Sequence, residues 1–590
     1  MIDSTTMPAT SYQPDALPTF VDILTKRASK NADDTALVFL QDGEQQQTPM
    51  TYRMLHDQAQ QFACGLRAQV ARDDRVILLF QSSYEFAVAF LGCMYAGVIS
   101  IPLPIPGRRK SEWTRMQSIV ENADCKLIVS IEKLLPRLHK HEATHFESTL
   151  GKYVSYETLA SHPERSDFIP VVTQGSDIAF LQYTSGSTGA PKGVALTHDN
   201  LIENQLLLKK GFRNYGNSVY LSWLPLFHDM GLIGNFMQAI YIAQPFIFMA
   251  PNAFLQKPYR WLKAISDYRV RVSGAPNFAY QLCVDKITDS ELETLDLSSW
   301  EVAFNGAEPV RASTLKQFAE RFKRCGFKAD ALYPCYGTAE STLIISGAIE
   351  ASEPVLLHAD RSSYEQGRIV PLQTQNEESI VLVASGTPLI ENSIAIVCPD
   401  TQTKHDELHI GEIWLTSPCN APGYWANQSA STRAFKNRLA NSSDERDFLN
   451  TGDLGFLYQG NIYITGRSKD LLIFNGRNIY PQDIEACSEL AHAALKPGRC
   501  AATSLYKDDK ERLVLVHELN RLHARESDYS EVFEAIRIAV YKEFAIPVHA
   551  IALVSPSSVP MTSSGKIRRQ SCKSQFIEQQ LDLVASWTEY

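Results

Sequence analysis

The run LQYTSGSTGAPKG, residues 181–193, sits between two apolar segments, IAFLQY (178–183) and GVALTH (193–198). Apolar runs of this length bounded by turn residues read as strands. The intervening loop is therefore pinned at both ends, which argues against a flexible linker and orders its backbone amides. A helix is expected next, capped by Thr197 and ending at Lys209, Lys210 and Gly211. The loop amides, with the hydroxyls of Thr184, Ser185, Ser187 and Thr188, form an anion nest to which Lys192 adds a charge. It is not a Walker A loop: that pattern ends in Gly-Lys-Ser/Thr, whereas Gly186 leads here to Pro191-Lys192-Gly193. Kinase and GTPase chemistry is disfavoured on that ground. From the loop alone, a phosphate cradle of another type and a structural turn are equally open.

Short apolar runs alternate with helical patterns around this loop, as in RVILLF (75–80), VISIPL (98–103) and CKLIVS (125–130). The alternation predicts stacked βαβ units and a mostly parallel sheet, an α/β fold. FIFMAP (246–251), VSGAP (272–276) and VAFNGAEPV (302–310) each end in a Gly/Ala/Pro turn. Ligands of open α/β sheets gather outside the carboxyl ends of the strands, so these turns mark one functional face. After about residue 380 the chain becomes β-rich, with GEIWLTSP (411–418), NIYITGR (461–467) and DLLIFNGR (470–477). YPQDIEACSEL then opens a helix with Pro481 in its first turn and Asp483 and Glu485 toward the positive end of its dipole. A chain of 590 residues exceeds one ordinary core. The expected organisation is a disordered segment 1–15, a large domain 16–467 and a small α+β domain 468–590.

Several function classes are disfavoured. A net charge of −10 gives no electrostatic case for nucleic acid as the main partner. The eleven cysteines contain no CxxC pair, which suits a reducing compartment, and the polar, acidic N-terminus has no secretory pattern; a cytoplasmic enzyme is expected. The uncharged run 231–256 has the length of a membrane span, but Asn235, Gln238, Gln244 and Pro245 interrupt it, and a buried helix followed by a buried strand fits better. His141-Glu142-Ala143-Thr144-His145 is a formal HExxH zinc motif in polar surroundings with no third ligand downstream, so zinc catalysis is not expected. The basic loop PIPGRRKSEWTR (104–115) reads as a solvated edge.

Four further segments accompany the loop: YGTAES (336–341), LNTGDLGF (449–456), TGRSKDLL (465–472) and PMTSSGKIRR (560–569). Each alone is a turn with a charged residue. In this order and spacing, from about residue 16 to 570, they resemble the acyl-adenylate-forming superfamily of acyl-CoA ligases, luciferase and peptide-synthetase adenylation domains. The resemblance implies a large adenylate-forming domain with a small mobile lid. The reaction would be attack of a carboxylate on the α-phosphate of ATP with release of pyrophosphate. It also implies site residues. Thr184, Ser185, Gly186, Ser187, Thr188, Gly189 and Lys192 would hold the leaving phosphates, and Glu340 with Thr184 would place Mg²⁺. Asn305, Gly306, Ala307, Glu308 and Tyr336, with Gly337 and Thr338, would line the adenine slot, and Asp453 and Arg467 would hold the ribose. Lys566 would reach in from the small domain to bridge carboxylate and α-phosphate. The small domain would rotate at Lys469 for a second, thioester-forming step. The plainer alternatives are a surface lysine at 566 and a turn residue at 453.

Amino-acid adenylators of this superfamily carry Phe-Asp where this chain has Phe227-His228, in LPLFHDMGLIGNF (224–236). A medium- to long-chain fatty acid is expected instead, with His228 at the catalytic end and Met230, Gly231, Ile233, Ser273, Gly274 and Phe278 along an acyl tunnel. HDMGLIG and NGRNIYPQDIE (475–485) resemble the fatty acyl-AMP ligase branch. So do the 45 residues between Glu340 and Gly386, long enough for that branch's insertion at about 351–380. The insertion is thought to restrain the lid and disfavour CoA, sending the acyl group to the phosphopantetheine thiol of an acyl carrier protein. No carrier Asp-Ser-Leu module follows Lys566, so the carrier is expected in trans. The rivals are a fatty acyl-CoA synthetase and a non-catalytic adenylate-binding homologue.

Overall fold

The computed structural model describes residues 19–46, 48–162, 169–184, 191–214, 216, 218–374, 376, 378–507, 510–526, 528–562 and 565–589. The expected disordered segment 1–15 lies outside them.

Two sheets organise the large domain. The first runs, in spatial order, through Tyr153–Ser155, Cys125–Ser130, Arg75–Leu79, Ile99–Leu103, Ile178–Thr184 and Lys192–Thr197; all neighbours are parallel except the last pair. The second runs through Leu332–Pro334, Val302–Asn305, Val272–Ala275, Tyr220–Ser222, Phe246–Met249 and Thr35–Gln41, parallel throughout, with Gln45–Gln46 closing one edge antiparallel. One hydrophobic core joins both sheets to the helices between them. Helix Tyr84–Ala96 shows why: from Phe86 onward every residue is buried, and a helix apolar on all sides is stable only when surrounded. Gly92 lets it approach helix Tyr52–Arg67, since a Cβ there would meet the Phe62 ring at 2.6 Å.

The three Gly/Ala/Pro turns singled out in the sequence follow strands of the same parallel sheet and open on one edge. Run 231–256 is helical from Asp229 to Tyr241, then forms strand Phe246–Met249 and a second helix, Pro251–Gln256, that the sequence reading did not separate. Among the described residues no helix is long and apolar enough to cross a membrane. The HExxH residues do not share a helix face, because helix Leu135–Glu142 ends before His145. Buried Glu142 accepts hydrogen bonds from the Leu150 N–H and the Tyr153 hydroxyl. All eleven cysteines are free thiols.

An antiparallel sheet, Ile394–Val397, Gly411–Leu415, Leu449–Tyr458 and Asn461–Arg467, leads to the chain's second part. From Leu472 on, a separate core gathers strands Leu495–Lys507, Lys510–Leu519, Val548–Val554 and Leu583–Thr588 with helices Pro481–Glu489 and Ser530–Phe544, while helix Arg569–Ile577 packs through Cys572 and Phe576 in a second, smaller cluster with Ala501, Val516 and Ala552. Pro481 does open its helix, with Asp483 in the first turn. Glu485 differs from expectation: its buried carboxylate takes the Ala502 N–H and the Arg569 guanidinium rather than serving the helix dipole.

Candidate active site

Strand Ile178–Thr184 pairs with Lys192–Thr197 so that Thr184 faces Lys192 across the base of the glycine-rich hairpin. Ser185, Gly186, Ser187, Thr188 and Gly189 lie outside the described residues. The following helix has the expected Thr197 cap, reciprocated by the Asn200 side chain, and runs to Gly211. Lys192 Nζ stands 4.7 Å over the Tyr424 ring. Burial and the nearby Lys469 depress its pKa, while Glu340 pulls it up. Glu340 sits in the tight turn Ala339–Ser341 and is held on both oxygens: the Tyr424 hydroxyl donates to Oε1 at 2.9 Å and the Thr338 hydroxyl to Oε2 at 2.5 Å. The hairpin's Lys192 and a fixed carboxylate thus share one corner, an arrangement suited to a polyphosphate with a divalent ion. Glu340 retains free lone pairs, and Mg²⁺ needs only one or two carboxylates when phosphates complete its shell, so these residues fit that ion.

Asp453 is the hub of the next corner. Its Oδ2 accepts the Tyr336 hydroxyl at 2.7 Å and its Oδ1 lies 3.1 Å from Arg467 Nε. Strands Leu449–Tyr458 and Asn461–Arg467 place Asp453 directly opposite Arg467, and Asp453 foremost holds the Arg467 pKa above its ordinary value. Nearby, strand Val302–Asn305 ends in Asn305, buried with its side-chain oxygen unpaired. Such an orphan is costly unless a ligand meets it. Gly306 packs on Cys335, where a Cβ would lie 2.9 Å from the carbonyl oxygen. Ala307 adopts φ +68°, an uncommon conformation for a residue with a side chain. Glu308 accepts the Phe278 N–H at 2.6 Å, and burial raises its pKa. Gly337 has no room for a side chain, since a Cβ would fall 1.8 Å from the Leu343 carbonyl oxygen.

Lys566 enters this region from the small domain. Its loop is braced: Thr562 N–H donates to the Lys566 carbonyl at 2.7 Å, and Lys566 N–H to the Thr562 hydroxyl at 2.9 Å. Gly565, at φ +86°, faces the Phe278 ring, which a Cβ would meet at 3.5 Å. Burial and Arg467 push the Lys566 pKa down, whereas Asp229, Asp453 and Glu308 raise it. The charge of Lys566 is thus within electrostatic reach of three carboxylates of the large domain, and its loop packs on Phe278, whose N–H Glu308 holds.

Asp229 is a residue the sequence reading missed. His228 Nδ1 lies 2.6 Å from its Oδ1, and the Met230 N–H also donates to that oxygen at 2.6 Å. Burial alone would raise its carboxyl, but His228 and Lys566 outweigh it and hold the pKa below the ordinary value. The signal was the polar pair His228-Asp229 at the mouth of an otherwise uncharged run. Tyr424, which fixes Glu340 and carries Lys192 on its ring, was missed too; nothing in its local sequence marks it.

The residues expected along the acyl tunnel lie in varied surroundings, with Met230 and Gly231 directly following this dyad in the chain. Met230, Gly231 and Ile233 are buried where the helix widens into the i→i+5 turn Leu232–Met237. Asn235 Nδ2 caps the Met230 carbonyl there at 2.7 Å. Wide turns of this kind recur at functional sites. Phe278 packs edge-on to Trp223, which stacks on Phe254. The Ser273 hydroxyl accepts the Trp261 indole N–H and donates to the Leu221 carbonyl, both within the core. Gly231 and Gly274 permit close backbone packing, since added Cβ atoms would lie 2.3 Å from Pro225 O and 2.1 Å from Phe304 O.

The model of the AMP-binding enzyme family matches residues 24–425, and that of the Disco-interacting protein 2-like AMP domain matches residues 469–586. The medium-chain-fatty-acid acyl-carrier-protein ligase JamA of Moorena producens is 39% identical over 96% of this chain and 96% of its own. The long-chain-fatty-acid AMP ligase FadD32 of Mycolicibacterium smegmatis is 32% identical over 88% of each. The crystal structure of a fatty acid AMP ligase from Legionella pneumophila is 36% identical with a TM-score of 0.74, covering 97% of this chain and 98% of that one. The chain belongs to the AMP-binding enzyme family, the acyl-adenylate-forming superfamily.

Proposed function

We propose that this protein is a fatty acyl-AMP ligase. It joins a medium- or long-chain fatty acid to ATP, releasing pyrophosphate, and passes the acyl group to the phosphopantetheine thiol of an acyl carrier protein supplied in trans. The observation that carries this reading is the placement of Lys566 among Asp229, Glu308 and Asp453, beside the Asp453–Arg467 pair.

In the first step a carboxylate oxygen bonds to the α-phosphorus and the bond to the β-phosphate breaks. Two anions must meet, so positioning and charge cancellation carry the catalysis. Asp453 and Arg467 hold the ribose, the Asn305–Glu308 turn and Tyr336 face the base, and the hairpin with Lys192 receives the leaving phosphates. Glu340 and Thr184 would hold Mg²⁺, which supplies charge neutralisation on the phosphates. Lys566 bridges the fatty carboxylate and the α-phosphate, and the apolar wall of Trp223, Met230, Ile233 and Phe278 receives the chain. In the second step the carrier thiolate attacks the acyl carbon and AMP leaves.

Lys566 acts as a cation, so adenylation is complete below its depressed pKa and is lost as pH rises through it. The Asp229 charge raises that pKa. Asp229→Asn therefore moves the alkaline limb of the pyrophosphate-release profile to lower pH and lowers the plateau about tenfold. A limb that stays in place removes Asp229 from this role.

The choice of carrier over CoA rests on the segment near 351–380. Strand Leu356–Asp360 pairs with Ser379–Val383, and helix Arg361–Glu365 between them leans on the small domain. Arg361 meets Glu543 at 2.7 Å, Glu365 meets Arg477 at 2.7 Å, and the Tyr364 and Tyr480 rings lie 4.9 Å apart. These contacts favour the adenylate-forming arrangement over the one that CoA requires. Arg361→Ala with Glu365→Ala should raise acyl-CoA formation about tenfold while leaving adenylation unchanged, as measured by chromatography of the products.

The deciding assay incubates the protein with ATP, Mg²⁺ and laurate, then offers CoA or a holo-carrier protein. Acyl-AMP that loads the carrier supports the reading. Acyl-CoA in quantity favours a CoA synthetase, and no pyrophosphate at all favours a non-catalytic binder.

A further inference from the structure

Arg569 stands at the first position of helix Arg569–Ile577, where a cation opposes the helix dipole. Two carboxylates account for its place. Its Nε and Nη2 grip both oxygens of Glu485 at 2.6 and 2.7 Å, and its Nη1 reaches Asp470 Oδ2 at 3.1 Å. All three side chains are largely buried, with Glu485 only 5% exposed. Glu485 belongs to the first helix of the small domain, and Asp470 to the short turn Ser468–Asp470 that joins the two domains. Three residues upstream of Arg569, the braced loop carries Lys566; Arg568 N–H donates to the Pro560 carbonyl, and Met561 bridges Ile567. Below it, Cys572 is buried in a cluster with Ala501, Val516 and Ala552.

The turn is thus held from both sides. Arg467 belongs to the large domain through Asp453, and Asp470 belongs to the small domain through Arg569. Only Ser468 and Lys469 stand between them. We propose that Arg569 is a positioning residue: by fixing Asp470 to the helix that follows Lys566, it confines domain rotation to Ser468 and Lys469 and sets where Lys566 arrives. This rests on the adenylate-forming reading above. A forked guanidinium suits the task because it grips two acids in one plane, which an ammonium cannot.

Asp470→Asn tests this, because it cuts the tie to the turn and leaves the Arg569–Glu485 grip intact. Fatty-acid-dependent pyrophosphate release should fall about 10-fold to 100-fold in kcat with the KM for ATP nearly unchanged, since misplacing a reacting group costs rate rather than binding. Acyl transfer from pre-formed acyl-AMP to holo-carrier should fall far less, and the Tm should move little. Trypsin should cut after Arg467 or Lys469 several-fold faster in the variant, a readout independent of activity. On an Arg569→Gln background, Asp470→Asn should add nothing further, the mark of two groups acting as one. Unchanged pyrophosphate release and unchanged tryptic cutting would overturn the proposal, as would an equal loss in both half-reactions with a lowered Tm, which marks a structural role only. A wild-type protein that releases no pyrophosphate would instead overturn the adenylate-forming reading.

Discussion

Lys566→Ala loses pyrophosphate release by about 10³-fold while ATP binding stays within a few-fold. The loss is large because the lysine is proposed as the charge that lets two anions approach, and such an interaction counts mainly in the transition state. Binding persists because the residues proposed to meet the nucleotide belong to the large domain: Asp453, Arg467, Tyr336 and the hairpin base are held by their own strands. Folding should be unaffected. The Lys566 side chain faces a polar site rather than the small domain's core, and its loop is braced through the backbone and Thr562. Stopped-flow release of pyrophosphate, alongside calorimetric titration of ATP, separates the two quantities. Equal losses in rate and binding would mean that Lys566 anchors ATP and does not serve the reacting centre.

Glu340→Gln carries the second-largest effect. The amide has the carboxylate's shape and can still accept one hydroxyl, but the charge that would meet a divalent cation is gone. We expect adenylation to fall about 10²-fold at physiological Mg²⁺ and to recover in part as Mg²⁺ is raised. The Tyr424 and Thr338 hydroxyls that now fix both oxygens make the site rigid, so the variant keeps its geometry and loses its charge. A Mg²⁺ titration of pyrophosphate release gives the answer directly. A curve superposable on wild type would place the ion elsewhere.

How much of this was legible in the sequence depends on what kind of contact each residue makes. Strand Cys125–Ser130 and the Thr197 helix cap were readable because apolar runs and side-chain caps are local signals. Asp453 and Arg467 stand out in short motifs, yet their pairing required the antiparallel register of two strands, which residue patterns alone do not fix. Tyr424 reaches Glu340 across 84 positions, and Arg569 reaches Asp470 across 99, so neither could be read from neighbours in the chain. Glu485 was assigned to its helix dipole by a sound local rule; a buried guanidinium and a strand N–H claimed it instead. Asp229 hid within an apolar run, where one acid looks like an interruption until its contact with His228 and the influence of the Lys566 charge are seen.

The reaction itself can be read with an isotope. Supply a fatty acid carrying ¹⁸O in its carboxyl group, with ATP, Mg²⁺ and a holo-carrier, and weigh the AMP released. Attack by the carboxylate on the α-phosphorus, followed by thiolate attack at the acyl carbon, leaves one carboxyl oxygen on AMP, which gains one heavy atom. Unlabelled AMP formed alongside loaded carrier would mean that the acid and the nucleotide never join, and that Lys566 does not bridge them.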